Sequence, residues 1–130
     1  MRVHSAFLAD QARIRDGLVY VIGGFPETWS VESLPATTRL TLVVVFELTP
    51  DEPDAAHDFG VEMWQNSSGE QVATAHVVFG SSGDPVAGAP KYRSVVMSFV
   101  AQVRYAGPCE VRLMMGGVPL ATVPFAIRIV

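Results

Sequence analysis

The chain has 130 residues, nine basic against thirteen acidic side chains, and a formal net charge of −4 with its three histidines neutral. Hydrophobic residues make up 49% of it and charged residues only 17%, with a mean hydropathy of +0.31; the length suits a single domain over residues 1–130 with one core, and the basic residues are scattered, with Lys91 the one lysine, so no stripe could neutralise phosphates and nucleic acid is not expected as a partner. The longest uncharged apolar run, residues 40–46, falls far short of the roughly 20 residues that a membrane-spanning helix needs, Asp10 cuts the apolar patch behind Arg2 before a secretion signal could be completed, and a lone cysteine, Cys109, fits a reducing cytoplasm.

In chain order, Val3, Ser5, Phe7 and Ala9 alternate with His4, Ala6 and Leu8, and the run reaches the tight-turn dipeptide Asp16-Gly17, with residues 18–22 as the return strand. Residues 9–15 would suit a short helix by composition, but the turn directly after them favours a hairpin. Gly23-Gly24 closes it, and a loop containing Pro26 carries Phe25 and Trp29. Residues 39–48 form the next strand, with Leu40, Leu42, Val44, Phe46 and Leu48 on one face and Thr41, Val43, Val45 and Glu47 on the other. Both faces are largely apolar, which predicts a central position.

Residues 50–58 form an acidic loop with two prolines, where a buried strand could not continue. Phe59, Val61 and Met63, opposed by Glu62 and Trp64, give a strand; residues 66–69 turn it into residues 71–79, and a Gly/Pro/Ser loop follows over residues 80–90. Val95, Met97, Phe99, Ala101, Val103 and Tyr105 then fall on every second residue. After Gly107-Pro108 come Cys109, Val111, Leu113 and Met115, and past Gly116-Gly117 a last strand runs to Val130. About eight strands at these turn spacings, with no helix of three turns, predict an all-β, two-layer antiparallel sandwich.

Three places carry candidate chemistry. The acidic loop offers Asp51, Glu52, Asp54 and Asp58 with His57 beside them, hard oxygen ligands of the kind calcium takes. If successive strands run up and down, the Asp16 turn, this loop and the loop at Asp84 share one end of the sandwich. The spacing does not follow the EF-hand pattern, and a solvated loop that keeps an apolar protein soluble is the plainer reading. At the opposite end by the same count lie Phe25 and Trp29, the Asn66 turn and residues 105–108. Loop aromatics can anchor a partner, or fold back over the open end of the core. The third place is the nominally polar face of residues 94–104, where Val96 and Val100 break the alternation as Val43 and Val45 do on the central strand. A sheet face covered from outside, by a protein partner or a second copy, is the expectation.

Nothing supports catalysis. Cys109 is in phase with the apolar face, His4, His57 and His76 have no evident orienting partner, and Ser81-Ser82 lacks the strand-to-helix turn that presents a catalytic serine. No cofactor is expected. The sequence therefore points to a non-enzymatic interaction module, with a ligand- or calcium-binding module as the alternative.

Leu8-Ala9-Asp10, residues 16–24 and Trp29, followed by residues 107–113, Gly116-Gly117 and Val123-Pro124-Phe125, resemble an uncharacterised family of small bacterial proteins of unknown function across essentially the whole chain. Cys109 departs from the pattern, where an aromatic residue is more usual. The resemblance implies an immunoglobulin-like or C2-like β-sandwich in the cytoplasm and brings no activity, substrate or catalytic residue.

Overall fold

Period-two alternation makes each strand amphipathic, so two sheets must meet face to face to bury the apolar sides. The computed structural model describes residues 1–16, 18–24, 27–52, 57–65, 69–79 and 87–130. Its strands are β1 (Arg2–Arg15), β2 (Leu18–Gly24), β3 (Thr28–Val31), β4 (Ala36–Leu48), β5 (His57–Gln65), β6 (Glu70–Phe79), β7 (Lys91–Val103), β8 (Gly107–Met115) and β9 (Val118–Ile129). One sheet has the order β2-β1-β4-β7 and the other β3-β9-β8-β5-β6. The expected strands are all present, and β3 is an additional one. It pairs parallel with β9, Trp29 opposite Ile127, so the sandwich is not wholly antiparallel.

Strand β4 is central, as its two apolar faces require. It pairs with β7 along its whole length, from Ala36↔Val103 to Leu48↔Lys91, and with β1 from Ala9↔Thr41 to Arg2↔Glu47. Its inward side chains Leu40, Leu42, Val44, Phe46 and Leu48 meet Phe59, Val61, Met63, Val111 and Leu113 from the other sheet in one buried cluster. Phe46 stacks on Phe59 with ring centres 4.5 Å apart. On the outward face Val43 is also fully buried, because Phe7 of β1 and Val96 of β7 flank it across the sheet.

The alternation read at the start of β1 is out of phase at one point. The register shifts between Val3 and Ser5, and this bulge at His4 lets Val3 pack on the core together with Ala6 and Leu8, leaving Ser5 and Phe7 on the outer face. The hairpin turn is as expected: Arg15 pairs with Leu18, and Asp16 adopts the left-handed conformation, φ 51°, that a tight two-residue turn demands.

The strand directions overturn one expectation. Because β3 runs beside β9 before the chain crosses to the other sheet, β4 descends antiparallel to β1 and brings the acidic loop to the end where the chain starts. There the Met1 ammonium lies 2.6 Å from Glu52 Oε1. The Asp16 turn is therefore at the opposite end from the acidic loop, and Asp84 lies outside the described residues.

Buried polar groups are spent on tying loops. Gln65, 1% exposed, accepts from the backbone N–H groups of Arg104 (3.0 Å) and Tyr105 (3.3 Å) and donates to the Tyr105 carbonyl (2.5 Å), fixing the β7–β8 connection. Lys91 Nζ, also buried, donates to the Glu52 carbonyl at 2.8 Å. On the outer face of the second sheet, Trp64 Nε1 donates to Glu62, and the Arg112 guanidinium lies 4.9 Å from the Trp64 ring centre while bonding Glu110.

Two substitutions test this account in urea denaturation. Phe46→Ala removes the stacked ring and should cost about 3–5 kcal/mol. Gln65→Leu keeps volume but deprives two backbone donors of their acceptor, and a loss of about 1–3 kcal/mol is expected.

Candidate interaction surface

The β1–β4 pairing ends at Ala9↔Thr41, but β1 continues to Arg15 with β2 as its partner. Residues 10–15 and 18–24 thus form a two-stranded arm. Their register places Ala12 opposite Val21 and Ile14 opposite Val19 on one face, and Gln11, Arg13 and Arg15 opposite Ile22, Tyr20 and Leu18 on the other. Among the described residues, β2 makes extensive strand contacts with β1 alone. The arm consequently keeps Leu18 (60%), Ile22 (64%), Tyr20 (46%), Ile14 (43%) and Val21 (37%) exposed. A groove of about 430 Å³ runs along it, lined by Gln11, Ala12, Arg13, Tyr20, Val21 and Ile22.

The outer edge of β2 is unpaired, since β2 is the end strand of its sheet. Edge strands are usually guarded by a charge, a proline or a bulge that discourages pairing with other chains. Leu18-Val19-Tyr20-Val21-Ile22 has none of these. Charged groups sit only on the β1 side and at the turn: Asp10, Arg13, Arg15 and Asp16, two of each sign. The signal was in the sequence as five consecutive apolar residues. Such a run also fits an ordinary return strand, because periodicity alone does not say which strands have neighbours.

The residues singled out from the sequence are placed as follows. Phe25 lies outside the described residues. Trp29 is on β3 rather than a loop; it packs against the core and its Nε1 donates to Thr38 Oγ1 at 3.0 Å, joining the two sheets. Val96 is half-buried beside Val43, while Val100, opposite Arg39, is 57% exposed. Together they offer a narrower apolar surface than the arm. Of the acidic residues, Asp54 lies outside the described residues, Asp51 and Asp58 are exposed, and the Glu52 carboxylate is engaged by the Met1 ammonium and by Thr49 N–H at 3.0 Å. Among the described residues no three His, Cys, Asp or Glu side chains gather as metal ligands. Cys109 is buried against Gln65, and burial raises its thiol pKa, with the Gln65 hydrogen bond opposing, which keeps it protonated and a poor nucleophile.

Glu52 makes a pH test. The ammonium hydrogen bond and the Thr49 N–H hold its carboxyl below the usual range. A depressed folded-state pKa contributes stability above the ordinary carboxylate pKa that is lost as pH falls through the lower folded value. Glu52→Gln should destabilise by no more than about 1 kcal/mol at neutral pH, because the pair is solvent-screened. Thermal melts of the two proteins should converge in acid.

No curated protein sequence matches the chain. Among solved structures, the Pseudomonas fluorescens alkylpurine DNA glycosylase AlkC, solved bound to DNA containing an abasic site analogue, is similar at 16% identity and a TM-score of 0.50, over 98% of this chain and 30% of the glycosylase chain. This chain thus spans under a third of that protein, and the likeness is one of fold alone. A family model matches residues 4–128, nearly the whole sandwich with its arm. By that match the chain belongs to DUF6941, a family of unknown function.

Proposed function

We infer that this protein is a non-enzymatic interaction module whose contact element is the β1–β2 arm. The observation that carries this reading is the concentration of apolar surface there: five of the eleven exposed large apolar side chains among the described residues belong to one hairpin whose second strand makes extensive contacts, among those residues, with its first strand alone. Isolated exposed apolar residues are normal, whereas Leu18, Tyr20 and Ile22 adjoin on one face of the arm, and a cluster of that kind marks a contact site. The free edge of β2 adds unpaired backbone groups, so a partner can gain both strand pairing and apolar burial.

Charge also favours a protein partner. The arm carries two arginines against two aspartates, too balanced for a phosphate backbone, and the whole chain is at −4. The thiol of Cys109, kept buried and unpaired with another cysteine, fits the cytoplasmic setting that belongs to the same reading. The calcium alternative gains no support from the described part of the acidic loop, where the Glu52 carboxylate is already engaged.

Affinity purification from the native host, with tagged wild-type chain and a Leu18→Asp/Ile22→Asp variant, tests the reading. Both positions are exposed, so the variant should fold, with a stability change of at most about 1–2 kcal/mol. A reproducible partner, untagged copies of the chain included, should be recovered by the wild type and lost by the variant. Recovery of the same proteins by both, or of none by the wild type, overturns it.

A further inference from the structure

The five uncharged residues of β2 read nearly the same in both directions: Leu18-Val19-Tyr20-Val21-Ile22. A two-fold symmetric contact needs a surface complementary to itself: in an antiparallel strand pair about the axis, residue i meets residue j of the other copy and j meets i, so the residues equidistant from the centre must suit one another. Centred on Tyr20, such a pair sets Leu18 against the partner copy's Ile22 and Val19 against its Val21, with Tyr20 beside its own equivalent. Leu18, Tyr20 and Ile22 already share one face of the arm, so the cross-strand row would be apolar from end to end.

We propose that β2 pairs with β2 of a second copy of this chain in this register, joining two four-stranded sheets into one of eight strands. The inference rests on the arm being the contact element and names its occupant. Electrostatics do not oppose it. β2 itself is uncharged, and the two copies of Arg13 would stand three strand spacings apart, about 14 Å, beyond a Debye length of about 8 Å at physiological salt.

The area is consistent with a reversible dimer. With a large apolar side chain offering on the order of 150 Å², the four exposed residues of β2 itself, Leu18, Tyr20, Val21 and Ile22, at roughly half exposure leave at most about 300 Å² per copy. Two copies, with the strand backbone added, stay below the roughly 1,000 Å² of a stable specific contact, in the range of weak and transient ones. Association should accordingly be weak and depend on concentration.

Charge swapping at the axis provides the test, by sedimentation velocity of the full chain over a dilution series reaching high micromolar concentration. Wild type should shift from monomer to dimer. Tyr20→Lys alone and Tyr20→Glu alone should each stay monomeric, because like charges would stand directly opposite one another. An equimolar mixture of the two variants should dimerise again, which also shows that both are folded. A wild type that is monomeric throughout overturns the proposal, as does a dimer that both variants retain or a mixture that fails to associate. A monomeric wild type that still recovers a host protein through Leu18 and Ile22 would leave the arm as the contact element and exclude a second copy as its occupant; loss of host capture together with a monomeric wild type would remove both readings.

Discussion

Burial of β4 on both faces and pairing along both of its edges is the constraint from which the other placements follow. Its even-numbered side chains from Leu40 to Leu48 make up one wall of the core, and Val43 on the reverse face is covered by its neighbours Phe7 and Val96. A strand apolar on both sides gains most stability where it is flanked on both edges. That fixes β1 and β7 beside it and the second sheet opposite, with the Phe46–Phe59 stack as the contact between layers. It also fixes where support ends. Residues 36–40 of β4 pair with β7 alone, so β1 beyond Ala9 has β2 as its partner and the arm departs from the sandwich.

The polar groups that draw attention as chemistry are used in holding the ends of the sandwich together. Gln65 closes the β7–β8 connection, Trp29 reaches Thr38 across the layers, and Lys91 and Met1 converge on Glu52. A buried donor or acceptor left unmade costs more than a made one contributes, so the pairings of Gln65 and Lys91 are structural requirements of the ends they serve. The arm is the reverse case. Its apolar side chains are exposed beyond the reach of the core, on an edge strand without the usual guards. A protein at −4 tolerates such an edge in solution more readily than a neutral one, and the cost of leaving it bare is recovered only when something pairs with it.

Much of the fold was legible in the residues. Val95 to Val103, Cys109 to Met115 and the faces of residues 39–48 alternate as they do in the sheets, and Asp16-Gly17 marks the hairpin correctly. Three features were not legible. The bulge at His4 inverts phase without changing composition. The four residues of β3 are too few for periodicity to register, yet that strand reverses the direction of everything after it and moves the acidic loop to the other end. The arm reads as an ordinary hairpin because exposure depends on what is absent around it.

The sequence by itself determined the all-β class, the inward faces of most strands and the centrality of β4, because a side-chain period of two is a local property carried along each strand. Only the tertiary structure decided which loops share an end, that Trp29 faces inward and that Leu18, Tyr20 and Ile22 are left exposed. Those are properties of neighbours, and neighbours are set by strand order and crossover, which depend on contacts between residues distant in the chain.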